Sequence, residues 1–274
     1  METADIFKTP QVTGGGGGYF DVFKAHTGFV SNKWIHYFFI YDRIFSRFLS
    51  AGKPVTLLEI GVQNGGSLEI WKKYLPENSQ IHGIDIDEKC LKLQFDSNIY
   101  FHLGSAADSD FMNQTFKDIQ FDIILDDGSH ICKDVIKTFI DMFPKLKWGG
   151  MYVVEDMHTS YWKEYGGDLK KRGSSIEYFK NFIDVLNFDY IRIKKHNFLK
   201  RSFRKRFYEF KTMICEVSFF DSICKIDKLY QPKNDSFKNS LSGLTDTVEP
   251  LLKIINSADK ESVLIEKTRR MFNS

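Results

Sequence analysis

The chain alternates short apolar runs with helix-length amphipathic segments, and this alternation constrains its fold more than any other feature. Five runs of strand length lie at residues 55–60, 81–86, 100–103, 121–125 and 151–154. Strands that alternate with helices form parallel sheets whose two faces are covered by those helices. The pattern therefore predicts an α/β fold with a doubly wound parallel sheet.

Two later apolar runs, 213–219 and 223–229, are separated only by a short turn around Asp221 and Ser222. Two strands so close in sequence pair as an antiparallel hairpin. We expect this hairpin at one edge of the sheet, which gives seven strands, mostly parallel, with an antiparallel edge.

The segments outside the sheet predict a further division of the chain. Residues 1–18 end in five consecutive glycines, which indicates a flexible lead-in; alternatively, the glycines record a run of G bases in the gene whose length can slip. Residues 19–52 predict an N-terminal helical segment, residues 53–230 the main domain, and residues 231–274 a polar linker with a helical tail. Five residues recur at helical spacing, and most of them are interpreted as packing residues: Trp34, Tyr37, Tyr41, Ile44 and Phe45.

The charge of the chain is nearly balanced, with a formal net charge of +2. No global field therefore marks it as a binder of nucleic acid or of membrane surfaces. Residues 192–211 contain nine Lys or Arg against one acid, a local charge of +8 that leaves −6 for the rest. We interpret this basic insertion, 190–212, as a lid for an anionic substrate, because Arg forks match phosphate oxygens. A solvated basic face, RNA and anionic lipid are the alternatives, although no known RNA-binding module accompanies the segment.

The cysteines and the hydropathy of the chain indicate the cellular compartment in which it works. The four cysteines form no CxxC pair, which argues against a disulfide framework and against a zinc site. No stretch approaches the roughly 20 apolar residues that span a bilayer. The first residues include Glu2 and Asp5, where a signal peptide has a basic flank. We expect a soluble, cytoplasmic protein with no transmembrane segment.

In open α/β sheets, ligands bind beyond the carboxyl ends of the strands. The loop 59–67 after the first strand lacks the GxGxxG spacing of a dinucleotide site. Gly61 allows a ligand to approach the backbone closely, and Ser67 is placed to cap the following helix. Asp85 ends the second strand, where a carboxylate can accept hydrogen bonds from both ribose hydroxyls; helix capping, the alternative, suits Asp87 better. A nucleoside site without a phosphate-binding lysine favours S-adenosylmethionine (SAM) as the cofactor.

The fourth and fifth strands end in acidic residues, with Asp126 and Asp127 after one and Glu155 and Asp156 after the other. Neighbouring like charges raise one another's pKa values unless a positive charge lies among them. Oxygen ligands without cysteine suit Mg²⁺ or Mn²⁺; the alternative is that some of these acids cap helices or pair with lysines. Because successive strand side chains point to opposite faces, Glu155 and Asp156 can share an ion only if the strand has ended before them.

His130 lies three residues after Asp127, close enough to this acidic site to act as a general base. A free histidine has a pKa of about 6.5 and therefore exchanges protons near neutral pH. His158, which follows the fifth strand, is the second candidate.

Four sequence motifs are similar to those of class I SAM-dependent methyltransferases: 59–67, 83–87, 121–130 and 148–162. The DDGSH motif at 126–130 and the EDMHTSYW motif at 155–162 more narrowly resemble the metal-dependent sugar O-methyltransferases typified by mycinamicin VI 2''-O-methyltransferase. Residues 33–37 and 176–186 resemble the same family.

The resemblance implies a Rossmann-like class I methyltransferase fold and assigns roles to individual residues. It implies Asp127, Glu155 and Asp156 as the Mg²⁺ ligands and His130 as the base, so that Asp127 and His130 form the catalytic centre. The SAM contacts that we expect are Glu59, Gly61, Ser67, Asp85, Ser105 and Asp126.

The activity implied is transfer of a methyl group from SAM to a sugar hydroxyl that the metal binds and His130 deprotonates. We expect the acceptor to be a nucleotide-linked sugar or a surface-glycan precursor of capsule or lipopolysaccharide. Alternatives are an RNA or natural-product methyltransferase, a hydroxylase-like protein, and a SAM-fold protein that binds without catalysis. Nucleic acid is not the expected partner, and a homo-oligomer formed through the N-terminal or C-terminal helices is left open.

Overall fold

The computed structural model describes residues 18–190 and 209–233. Within these ranges the chain forms seven strands: β1 (Thr56–Ile60), β2 (Gln80–Asp85), β3 (Ile99–Leu103), β4 (Phe121–Asp126), β5 (Leu146–Val154), β6 (Ile214–Phe219) and β7 (Cys224–Lys228). All seven belong to one sheet in the order β3-β2-β1-β4-β5-β7-β6.

The pairing within the sheet confirms the predicted fold class. Strands β1 to β5 pair in parallel, whereas β7 pairs antiparallel with both β5 and β6. The largest difference from the sequence prediction is β5, which begins at Leu146 rather than at residue 151. Its first part contains Gly149 at a φ of +82°, and glycine tolerates such irregular strand geometry.

In the described part of the chain, seven α-helices accompany the strands: α1 (Tyr19–Lys24), α2 (Ile35–Ala51), α3 (Gly66–Tyr74), α4 (Ser109–Thr115), α5 (Cys132–Met142), α6 (Ser175–Lys180) and α7 (Phe182–Leu186). The N-terminal helical segment is interrupted between α1 and α2. There the chain crosses the start of α3, because the Phe29 N–H donates to Glu69 Oε2 at 2.7 Å and the Val30 carbonyl accepts from the Gly66 N–H at 3.3 Å. This crossing places residues 31–34 beside the ends of the strands.

Buried side chains form one cluster on each face of the sheet. Ile123 and Ile124, neighbours in β4, belong to different clusters, since strand side chains alternate between faces. Four of the five residues at helical spacing are buried, in line with the interpretation that most of them pack: Tyr37, Tyr41, Ile44 and Phe45. The exception is Trp34, whose side chain is 56% exposed because it precedes the first turn of α2.

Several predictions fall outside the described residues: the flexible lead-in, the basic insertion over most of its length, and the C-terminal helical tail. In the described ranges, no helix combines the length and the hydropathy that crossing a bilayer requires. The four cysteines are unpaired in the structure.

Candidate active site

A cavity of about 930 Å³ opens at the carboxyl ends of the parallel strands. The cavity has two sides, which we name after one of the strands that form each. The β2 half consists of Gly61, Asp85 and Ser105, at the ends of β1, β2 and β3. The β5 half consists of Asp127, His130, Glu155 and Asp156. Nine of the predicted site residues line this cavity: Gly61, Ser67, Asp85, Ser105, Asp126, Asp127, His130, Glu155 and Asp156.

Gly61 is required by the packing of two loops against each other. Its φ is +93°, and a Cβ atom at this position would lie 2.1 Å from the carbonyl oxygen of Asp127. The Asp127 N–H in turn donates to the carbonyl of Ile60 at 2.9 Å. Because residue 61 has no side chain, the loops after β1 and β4 can pack closely against each other. The backbone at Gly61 also remains accessible from the cavity.

Asp85 fixes the loop that follows β1. Its Oδ2 accepts hydrogen bonds from the N–H groups of Val62 at 2.8 Å and Gln63 at 2.9 Å. Its Oδ1 accepts from the N–H of Asp87 at 2.9 Å. Asp87 caps the 3₁₀ helix Glu88–Lys92 by accepting from Lys89 N–H, as the sequence favoured. A carboxylate with backbone donors on both oxygens is held in one orientation at the cavity wall.

Ser67 does not cap the helix, which corrects the sequence prediction. The N-cap of α3 is Gly65 in a left-handed conformation, and Ser67 already lies inside the first turn. The Ser67 hydroxyl instead donates to Oε2 of Glu59 at 2.7 Å. Glu59 is fully buried and does not line the cavity, and burial raises its pKa to about 7. Of the two residues, only Ser67 can reach a ligand in the cavity.

Ser105 and Asp126 complete the wall between the two halves. The Ser105 hydroxyl accepts a hydrogen bond from the Ala107 N–H at 3.3 Å, which shapes the turn after β3. Asp126 is buried, and its Oδ2 accepts from the Tyr152 hydroxyl at 3.1 Å. Burial raises the pKa of Asp126 to about 7.

Asp127, His130 and Asp156 meet in the β5 half. Nε2 of His130 lies 3.8 Å from Oδ1 of Asp127 and 3.7 Å from Oδ2 of Asp156. His130 and Asp156 both have a left-handed φ, +57° and +50°, a conformation that Asp and His adopt more readily than most residues. The left-handed turn at Asp156 ends the strand, which removes the geometric objection to a shared ion.

Glu155 has different neighbours from the other predicted metal ligands. Its Oε1 accepts from the Tyr41 hydroxyl at 2.5 Å, and its Oε2 accepts from Nζ of Lys33 at 2.8 Å. The side chain is almost fully buried. Burial, reinforced by the nearby charge of Asp127, raises the pKa of Glu155 to about 8.

Lys33 supplies a positive charge among these acids. Its Nζ donates to Oδ2 of Asp127 and to Oε2 of Glu155, and lies 3.8 Å from Oε1 of Glu59. Burial alone would lower the pKa of Lys33, but the three carboxylates together raise it well above its usual value. Acids this close together need a positive charge among them, and pairing with a lysine is the alternative to an ion. Lys33 provides that pairing, although in the sequence it stands out only as part of the family-like segment 33–37.

Tyr37 connects the β5 half to the edge hairpin. Its hydroxyl lies 2.7 Å from Oδ1 of Asp156 and accepts a hydrogen bond from the Asp156 N–H at 3.2 Å. The same hydroxyl is 3.3 Å from the carbonyl oxygen of Ser222, in the β6–β7 turn. Tyr37 and Tyr41 therefore pack in the core and also position acids of the site, a role that helical spacing alone does not reveal.

The donor set of the β5 half fits a hard divalent cation. One atom each from Asp127, His130 and Asp156 lies within 4.8 Å of the others, and carboxylate oxygens are the ligands that Mg²⁺ and Mn²⁺ prefer. The β2 half fits a nucleoside without phosphates. Lys33 is the only Lys or Arg among the described residues that line the cavity, and its ammonium is already paired with acids of the β5 half.

Comparison with known proteins shows that the chain is similar to sugar O-methyltransferases. It is 36% identical over 157 residues to mycinamicin VI 2''-O-methyltransferase of Micromonospora griseorubida, a match that covers 53% of this chain and 38% of the relative. It is 35% identical over 169 residues to 8-demethyl-8-alpha-L-rhamnosyl tetracenomycin-C 2'-O-methyltransferase of Streptomyces olivaceus, covering 57% and 43%. The match thus spans less than half the length of these curated relatives. No protein-family model matches the chain.

Solved structures show the same similarity in three dimensions. The MycE methyltransferase from the mycinamycin biosynthetic pathway, in complex with Mg, SAH and mycinamycin VI, superposes with a TM-score of 0.61 at 28% identity, covering 76% of this chain and 54% of that chain. Another crystal form of MycE with Mg and SAH gives 0.63 at 25% identity, covering 84% and 57%. The strand order and these superpositions show that the chain has the class I methyltransferase fold and is similar to the sugar O-methyltransferases.

Proposed function

We propose that this chain is a SAM- and Mg²⁺-dependent O-methyltransferase that acts on a sugar hydroxyl. The observation that carries the proposal is that one cavity contains both the backbone-anchored Asp85 and the cluster of Asp127, His130 and Asp156. A group-transfer enzyme needs a donor site and an acceptor site side by side. The relatives named above are O-methyltransferases of glycosylated natural products, and the MycE structures contain Mg and SAH.

The two halves of the cavity would hold different groups. SAM would be held in the β2 half by Gly61, Asp85 and Ser105, with contributions from Ser67 and Asp126. Mg²⁺ would be held by Asp127 and Asp156, with Glu155 as a further ligand once Lys33 gives up that carboxylate. When bound, SAM supplies the methyl group, and Mg²⁺ supplies the Lewis acidity that lowers the pKa of a hydroxyl.

His130 is the residue best placed to take the proton of the acceptor hydroxyl. Its imidazole borders the cavity and faces Asp127 and Asp156. These carboxylates lie 3.8 and 3.7 Å from Nε2, so the imidazole adjoins the residues that would hold Mg²⁺ and the acceptor hydroxyl. His158 is the weaker candidate, because its Nδ1 lies 2.6 Å from the hydroxyl oxygen of Ser222 and the residue does not line the cavity.

Two classes of sugar acceptor are candidates for this enzyme. A nucleotide-linked sugar or a phosphorylated surface-glycan precursor is supported by the +8 charge of residues 192–211. A neutral glycoside of a natural product is supported by the acceptors in the names of the relatives. The first class predicts that salt weakens acceptor binding strongly, since exposed charges are screened; the second predicts little effect of salt.

Calorimetry and a methyl-transfer assay test the proposal. We expect SAH to bind the protein, and labelled SAM to transfer its methyl group to a member of a panel of nucleotide sugars and methyl or aryl glycosides. EDTA should abolish transfer and added Mg²⁺ should restore it. Absence of SAH binding would overturn the whole assignment, and transfer unaffected by EDTA would overturn the role of the metal.

A further inference from the structure

Trp34 lines the cavity on the side of the β5 half, and further aromatic rings lie next to it. Trp34 contacts the ring of His158 with centroids 6.0 Å apart, and Trp162 contacts the same ring at 4.8 Å, both edge to face. Tyr165 lies 6.0 Å from Trp162 and 6.3 Å from His130. These rings come from two loops far apart in sequence, and together they extend from Trp34 to the proposed base.

The side chains of Trp34 and Trp162 are about half exposed to solvent, although tryptophan is usually buried. Trp34 is 56% exposed and Trp162 is 48% exposed, whereas Trp71 is completely buried in the core. Aromatic side chains are common in the walls of ligand sites. The Trp162 loop is also held in place by its backbone, because the N–H of Trp162 donates to Thr159 and its carbonyl accepts from Gly167 at 2.9 Å.

The aromatic rings adjoin the groups that would react. Lys33, next to Trp34 in sequence, pairs with Asp127 and Glu155. Nδ1 of His158 lies 3.9 Å from Oδ1 of Asp156. Both indoles therefore contact a histidine that adjoins the Asp156 carboxylate of the β5 half.

We propose that Trp34 and Trp162 form an acceptor subsite that stacks against the apolar C–H face of a pyranose ring. A pyranoside combines an apolar ring face with a polar hydroxyl edge. The indoles match the face, and the carboxylates of Asp127 and Asp156 match the edge. That a hydroxyl on this edge reacts rests on the proposed function. The indoles would be the surface that selects the acceptor.

Binding of a simple pyranoside tests this subsite directly. Methyl α-L-rhamnopyranoside is titrated with the full chain, and saturation-transfer NMR measures its Kd without any methyl transfer. We expect Trp34→Ala and Trp162→Ala each to raise that Kd about tenfold, while Trp34→Phe and Trp162→Phe retain most of the affinity. The Kd of SAH should not change in any of the four variants.

Trp148→Ala is the matched control, because Trp148 is 43% exposed, lies in β5 away from the cavity, and contacts Nζ of Lys228 at 4.8 Å. It should bind the pyranoside as the wild type does. The subsite is overturned if the wild type binds no pyranoside, or if Trp34→Ala and Trp162→Ala bind it like Trp148→Ala. Pyranoside binding that depends on the indoles, without methyl transfer in any assay, would support the subsite and contradict only the proposed function.

Discussion

The two halves of the cavity are stabilised in different ways. In the β2 half, the Asp85 carboxylate is satisfied by backbone N–H groups 22 and 23 residues away, in the loop after the neighbouring strand. In the β5 half, Glu155 is satisfied by the side chains of Tyr41 and Lys33, which are 114 and 122 residues away. One half is built from backbone donors at strand ends, and the other from charged and phenolic side chains of a distant segment.

Only the β5 half therefore depends on the compensation of buried charges. Backbone donors remain in place when a ligand leaves, so the β2 half keeps its shape. Buried acids held by an ammonium group cost several kcal/mol if that group is removed. We expect the β5 half to be the part of the site whose integrity depends on cations, and the following variants test that comparison.

His130→Ala should produce the largest effect. Loss of a general base lowers turnover by about 10² to 10⁴, while the β2 half, and with it the Kd of SAH, should not change. Ser129→Ala is the control in the same loop, since that hydroxyl donates to Asp134 at an exposed position. Near-normal turnover in His130→Ala would remove this residue from the role of base.

Lys33→Met should destabilise the protein without any ligand. The variant leaves Asp127, Glu155 and Glu59 without their cation, and we expect the free energy of unfolding in EDTA to fall by about 3–5 kcal/mol. Added Mg²⁺ should restore part of it. Urea unfolding measures the change.

Lys72→Met is the control for this substitution, because Lys72 pairs with the exposed Asp96 at 3.4 Å and such pairs contribute about 0–1 kcal/mol. Equal unfolding midpoints for Lys33→Met and Lys72→Met would show that the β5 half does not depend on this ammonium group.

Asp85→Asn should affect the β2 half alone. The substitution removes the charge that strengthens the hydrogen bonds from Val62 and Gln63, so the Kd of SAH should rise about tenfold and Mg²⁺ affinity should stay the same. Asp87→Asn, which alters only the cap of a 3₁₀ helix, serves as the control. A change in Mg²⁺ affinity in Asp85→Asn would mean that the halves are not independent.

Glu59→Gln should change stability rather than ligand binding, by an amount that depends on pH. Burial raises the pKa of Glu59 from 4.5 to about 7, so the wild type loses stability as the pH rises from about 4.5 to 7 and this group ionises. Glutamine cannot ionise and still accepts from Ser67. The Tm of the variant relative to wild type should therefore be a few degrees higher at pH 8 than at pH 5. An equal difference at both pH values would contradict this account of Glu59.

The fold could be predicted because its signals are local. Apolar runs of strand length, separated by helix-length segments, gave the parallel sheet and the edge hairpin correctly. The start of β5 was wrong by five residues, since Trp148, Gly149 and Gly150 do not resemble a strand, although Gly149 donates its N–H to Leu229. Hydrogen bonding to a distant segment extends that strand.

The candidate site was only partly visible in the sequence. Once the strands are placed, the acids and glycines that follow them are predicted to lie at one edge of the sheet. Gly61, Asp85, Asp127 and Asp156 do line one cavity there. Lys33 and Tyr41 could not be placed, since their contacts with Glu155 span more than a hundred residues. Buried tyrosines at helical spacing are ordinary core residues unless the structure shows where their hydroxyls point.

Titration of Mg²⁺ into the wild type and Asp127→Asn, both saturated with SAH, tests most directly whether the two halves hold two different groups. Asp127→Asn alters the β5 half and leaves Asp85 and its donors untouched. We predict one Mg²⁺ bound per wild-type chain, no measurable Mg²⁺ binding to Asp127→Asn, and the same Kd of SAH for both proteins. Mg²⁺ binding of equal strength in both proteins, or none in the wild type, would contradict the account.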